Sequence, residues 1–178
     1  MNVSPRPLIL AGFDLKSLKK WNSPDGGGYQ FTLTQHGVPV CEVTNEGNGG
    51  EVRLEWLCLR WDGSPVSNDS MTLADKAKVA KQAPVSQVAK VALDAIVKAT
   101  PEVESFGMML KPDAGWLMEE LVNLADLRKV CKKKTAFRKA GDDDSQYFTI
   151  NAPCDDKVRA YIGKKYPGAT ILNDEIGA

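Results

Sequence analysis

Y-Q-F-T-L-T-Q-H-G-V-P-V-C-E-V, running from Tyr29 to Val43, decides how the first part of the chain folds. Tyr29, Phe31 and Leu33 alternate with Gln30, Thr32 and Thr34, the period of a strand with one buried face. His36 and Gly37 reverse the chain, and Val38, Val40 and Val43 line the returning strand. Asn45 to Gly50, N-E-G-N-G-G, is a second reversal rich in residues that tolerate positive φ. Glu51 to Trp61 then returns as a third strand, with Val52, Leu54, Trp56 and Cys58 facing one way. Upstream, Leu8 to Phe13 is expected as a short strand. Asp14 is expected to cap a helix through Trp21, because Leu15, Leu18 and Trp21 recur every three residues. Ser23 to Gly28 is turn material. This module covers 1–62 and predicts a three-stranded antiparallel sheet with a short helix.

Residues 63–70 read as a linker, and 71–178 as a helical and β-hairpin module, either separate or part of one compact domain. Thr72, followed by Asp75, has the form of a capping box. The Ala- and Lys-rich run from Leu73 to Gln82 is helical, Pro84 interrupts it, and Val85 to Lys98 resumes it. Val85, Val88, Val91, Ala92, Ala95 and Ile96 form a stripe that must pack on the sheet or on another subunit, so a homodimer is one expectation. Lys76, Lys78, Lys81, Lys90 and Lys98 suit a solvated helix face. Val103 to Leu110 fits a buried strand or a helical turn, with Met108 and Met109 suited to an adaptable contact. Ala114 to Lys129 is a helix with Trp116, Leu117, Leu121, Leu124, Ala125 and Leu127 at helical spacing. Cys154 to Tyr166 is a last helix with Val158, Tyr161 and Ile162 inward. Ala169 to Leu172 forms a closing strand before a polar tail. The fold class expected is α+β.

Val130 to Phe148 concentrates the charge contrast. Lys132, Lys133, Lys134, Arg138 and Lys139 precede Gly141, and Asp142, Asp143 and Asp144 follow it. Thr135 and Phe137 on one side and Tyr147, Phe148, Thr149 and Ile150 on the other suit strands, so a hairpin with an acidic turn is expected. Its candidate binding residues are Lys132, Lys133, Lys134, Phe137, Arg138, Lys139 and Tyr147. On a strand, Lys132 and Lys134 would share one face and Lys133 the other.

Composition excludes several classes. The 23 basic and 23 acidic residues cancel, so no net field draws the molecule to nucleic acid or to an anionic membrane, and any such binding needs a local patch. Cys41, Cys58, Cys131 and Cys154 lack the close spacing of zinc or dithiol sites, and free thiols in a reducing cytoplasm are expected. The amino-terminal M-N-V-S-P-R-P-L-I-L-A-G-F-D has only a short apolar run, so neither a secretory leader nor a membrane span is expected. Gly26–Gly28 and Gly47–Gly50 lack the strand, helix and lysine context of phosphate loops. His36 is the single histidine and sits on a turn, so no His-based relay is expected. No cofactor is called for, and neighbouring aspartates at 142–144 seldom converge on one cation without ligands from elsewhere.

The runs C-K-K-K-T-A-F-R-K-A-G-D (131–142), Y-F-T-I-N-A-P-C (147–154) and V-R-A-Y-I-G-K-K-Y-P-G (158–168) resemble the carboxyl-terminal part of short uncharacterised bacteriophage and prophage-encoded proteins. G-G-G-Y-Q-F-T-L (26–33) and V-T-N-E-G-N-G-G (43–50) are similar to their amino-terminal hairpin. The resemblance names no activity. It implies a phage-encoded protein working in a bacterial cytoplasm on a host protein or host defence complex, for example as an inhibitor of the anti-CRISPR kind. The alternative is a nucleic-acid-binding accessory protein using Arg128, Lys129 and the basic residues of 132–139, with Phe137 or Tyr147 stacking on bases. A metal-dependent nuclease built on the aspartates is the third class.

Overall fold

Phe31 and Leu33 are almost fully buried and Tyr29 nearly so, as their alternation requires. In the computed structural model, which describes residues 6–68, 70–105, 107–142 and 146–176, they lie on β2 (Gly26–Gln35). β2 is central to a four-stranded antiparallel sheet of order β1-β2-β3-β4, with β1 at Phe13–Ser23, β3 at Val38–Asn45 and β4 at Arg53–Trp56. The chain is α+β, and this sheet has one strand more than the sequence predicts.

The extra strand is β1, which replaces the expected helix from Asp14 to Trp21. Lys16 pairs with Thr32 and Lys19 with Gln30, so Ser17 and Leu18 together oppose Phe31 in a β-bulge, with Ser17 at φ 58°. The bulge adds one residue to a period of two. Leu15 and Leu18, three apart, therefore both pack on the core, and the spacing imitates a helix. Leu8 to Phe13 is likewise not a strand: Arg6–Leu10 form the short helix α1, Leu8 is buried, and Gly12 at φ 79° turns the chain into β1. A second irregularity between Leu33 and Thr34 lets Val40 and Cys41 both point inward. The third predicted strand is shorter than expected, because Cys58 at φ 60° bends the chain out of β4.

Gly47 closes the β3–β4 reversal at φ 75°, and a Cβ there would lie 2.6 Å from the Gly28 backbone nitrogen. Gly47→Ala combines left-handed strain with a backbone clash, so a loss of about 2 kcal/mol or more is expected in urea unfolding. Gly37→Ala has the same sign of φ and open space, so the difference between the two variants isolates the clash.

Two long helices cover the inner face of the sheet. α2 (Leu73–Ala99) runs unbroken through Pro84 and starts at the predicted capping box, in which Thr72 accepts from the Asp75 N–H and Asp75 from the Thr72 N–H. Gln82 fastens the helix to β3: its Nε2 donates to the Pro39 carbonyl (2.7 Å) and to Ser86 Oγ (3.2 Å). The stripe predicted for α2 holds for Ala92 and Ile96, which pack on the core, and is corrected for its valines and Ala95. The buried residues are Ala83, Ser86, Ala89 and Leu93, whereas Val85, Val88 and Val91 face solvent. The small residues bring the helix close to the sheet and exclude the larger valines from that side.

α3 (Ala114–Cys131) starts at Asp113, which accepts from the Trp116 N–H, and buries Leu117, Met118, Leu121, Val122 and Leu124. Lys20 and Arg128 tie it to β1 through Asp126 and Asp14. Between these helices, β5 (Val103–Ser105) and β6 (Met108–Leu110) pair only with each other.

A three-stranded sheet of order β8-β7-β9 follows α3, with β7 at Thr135–Arg138, β8 at Phe148–Ile150 and β9 at Thr170–Ile171. α4 (Asp156–Lys165) crosses between β8 and β9 and is capped by Asp155. Ile162 is its buried residue, while Tyr161, expected inward, is 49% exposed. The tail is not simply polar: Leu172–Glu175 form α5, in which Leu172 and Asn173 are buried.

Candidate binding surfaces

Sequence placed the candidate site on the basic arm that leads into β7, and the structure disperses it. Lys132, Lys133 and Lys134 are not on a strand. They form the turn that ends α3, where the N–H groups of Lys133 and Lys134 both reach the Val130 carbonyl. All three side chains are exposed, and no ion pair holds them among the described residues. Cations at a helix C-terminus are favourable in themselves. The two that precede them are engaged: Arg128 pairs with Asp14 at 3.2 Å and Lys129 with Asp126 at 3.2 Å.

Farther along, Phe137 is buried at 3% exposure and cannot stack on a base. Arg138 is half-buried. Lys139 is drawn onto an aromatic cluster, its Nζ 3.7 Å from the Phe148 ring centre and 5.4 Å from that of Tyr166. Phe137 packs behind, with ring centres 5.8 Å from Phe148 and 5.1 Å from Tyr166. On α4, Lys165 bonds the Tyr161 hydroxyl at 2.8 Å, and that bond holds its ammonium above the usual lysine range. Tyr147 is exposed at 43%. Of the acidic turn, Asp143 and Asp144 lie outside the described residues. No group of three His, Cys, Asp or Glu side chains suited to a metal is found among the described residues.

Sequence reasoning missed Tyr166 and Lys165 as members of this cluster. The signal available was the Tyr161/Lys165 spacing of one helical turn. Their arrangement keeps Lys139 and Lys165 on protein rings, which removes Lys139 from the phosphate contacts expected of the basic arm.

The second surface is the β5–β6 ribbon, whose Val103–Leu110 segment sequence left open between strand and helix. Val103 pairs with Leu110, Glu104 with Met109 and Ser105 with Met108. The root is fixed: Val103 packs on the core, and the Lys111 ammonium donates to the carbonyls of Lys98 and Thr100. Beyond the root neither face of β6 is covered, so Met108 (58%), Met109 (59%) and Leu110 (37%) are all exposed. β6 itself carries no charge or proline, and its edge is short, three residues that end at Lys111 and Pro112.

The four cysteines are free, with Cys41 and Cys131 buried. Burial, with help from Glu42 and Glu55, pushes the Cys41 thiol up to about 12, so it is a packing residue and not a nucleophile. His36, at φ 49°, is exposed on its turn, as expected. No helix among the described residues is long and apolar enough to cross a membrane. No protein-family model, no curated protein and no solved structure matches this chain.

Proposed function

We propose that this chain is a phage-encoded binding protein that inhibits or redirects a host factor by protein–protein contact, with the β5–β6 ribbon as the contact. The observation that carries the contact is the run Met108, Met109 and Leu110, exposed on a short strand whose root is anchored by Val103 and Lys111. Methionines adapt to a partner's shape, and an open strand edge offers backbone hydrogen bonds to an added strand. The phage setting rests on the resemblance of the carboxyl-terminal runs, and a host defence complex is the partner it favours.

The test is affinity capture of partners from bacterial lysate, followed by titration of the purified partner. Met108→Glu with Met109→Glu is expected to weaken that partner at least tenfold, the scale of a contact hot spot. Stability should change by no more than about 0.5 kcal/mol, because both side chains are mostly solvated. Lys132→Gln, Lys133→Gln and Lys134→Gln together are expected to leave the same partner bound. The reverse pattern would move the contact to the turn after α3.

A nucleic-acid accessory role is the second reading. It is favoured by the three adjacent exposed lysines at 132–134 and by Tyr147, an exposed ring in the following arm.

A further inference from the structure

Helix α2 is apolar on two opposite faces. The buried face rests on the sheet, while Leu73, Val85, Val88 and Val91 are 86%, 37%, 65% and 58% exposed on the other side. At about 3.6 residues per turn, positions 73, 77, 80, 84, 88, 91 and 95 follow one line, a ridge roughly 33 Å long. Every one of them is Leu, Ala, Pro or Val, and every one is exposed. An apolar ridge on the exposed side of a helix whose opposite face is already buried marks a second contact surface, flanked here by the charged residues of the helix. The loop beside the ridge adds to it: a Cβ on Gly63 would lie 3.4 Å from Oε1 of Gln87, and the same loop carries Trp61, 96% exposed.

We propose that this face binds the same face of a second copy of the chain, with the two α2 helices antiparallel about a two-fold axis that crosses the ridge at the height of Pro84 and Val85. Charge placement selects both the partner and the direction. Lys76 and Asp94 lie nine residues before and nine residues after Val85. The eighteen residues between them are five turns at about 3.6 residues per turn, so both stand on one flank of the ridge. The two-fold axis therefore sets Lys76 of each copy beside Asp94 of the other, giving two symmetric ion pairs. A parallel two-fold would put the Lys76–Asp94 flanks of the two copies on opposite sides of the seam, and neither pair would form. Asp94 holds Lys90 through Oδ2 at 2.8 Å, which leaves its other oxygen for the partner, and Lys76 makes no ion pair among the described residues. Lys81 stands at the ridge edge, where its methylene stem can lie along the second helix while the ammonium stays in water.

Sedimentation velocity of the full chain over about 1–100 μM tests this, a range that brackets the affinity of a modest helix-mediated dimer. A dimer is expected, and Val88→Glu with Val91→Glu should convert it to monomer, with circular dichroism unchanged. Lys76→Asp or Asp94→Lys alone should weaken dimerisation about three- to tenfold, and the two together should restore it. A wild-type chain that stays monomeric throughout would overturn the proposal, as would a dimer indifferent to the valine changes. Failure of the double charge exchange to restore binding would overturn the antiparallel arrangement.

Discussion

Phe31→Ala is expected to lower the unfolding free energy by about 3–5 kcal/mol, the scale for removing a buried aromatic from a packed core. Phe31 is 1% exposed, stacks on Tyr29 with ring centres 5.9 Å apart, and faces the Ser17–Leu18 bulge on one side and Val43 on the other. The surrounding strands are bonded in register and cannot collapse into the gap, so the cavity persists. Urea unfolding followed by circular dichroism reads the loss. Gln30→Ala, one residue away on the open face, is expected to stay within about 0.5 kcal/mol. Equal effects at the two positions would mean that the helices do not seal the inner face of the sheet.

Asn173→Ala is expected to cost about 2–4 kcal/mol, although it lies in a tail that reads only as polar. Its side chain is a three-way clamp. Oδ1 accepts from the Ala136 N–H at 2.8 Å, and Nδ2 donates to the carbonyls of Cys131 and Lys134, each at 3.1 Å. These bonds hold the end of α3, the lysine turn and the start of β7 in one geometry. Alanine would leave the Ala136 N–H and the Cys131 carbonyl without a partner at a site only 4% exposed. Faster amide exchange at Ala136 and Phe137 is expected before any change in the four-stranded sheet. Uniform acceleration across the chain would instead show that the carboxyl-terminal sheet does not open independently.

The difference between Phe31 and Asn173 shows what a sequence discloses. Phe31 belongs to an alternating run whose period states the strand and its buried face directly. Asn173 acquires its role from partners 37 to 42 residues away, which no local pattern encodes. The β1 error has a similar origin: the bulge at Ser17 converts strand spacing into helix spacing, and only the pairing with β2 distinguishes the two. In α2 the three-and-four spacing that groups Val85, Val88 and Val91 with Ala92 and Ile96 fits two neighbouring faces, and spacing alone does not choose between them. Packing chose the alanines, since closeness to the sheet mattered more than side-chain volume. The basic arm was legible as composition but not as geometry. Its basic residues divide among a helix end, two salt bridges to acids and an aromatic cluster, so a run of positive charge becomes three separate local arrangements.

The most direct test of a protein partner over a nucleic-acid partner is fluorescence anisotropy of labelled single-stranded and duplex DNA and RNA with the full chain. It should be run at about 50 and 200 mM salt, where phosphate contacts reveal themselves by a steep loss of affinity. With Lys139 and Lys165 held on rings and Arg128 and Lys129 paired with acids, only weak binding without sequence preference is expected at the lower salt, and none at the higher. Tight, salt-sensitive binding abolished by Lys132→Gln, Lys133→Gln and Lys134→Gln would contradict the protein-contact account and make the turn after α3 the working surface.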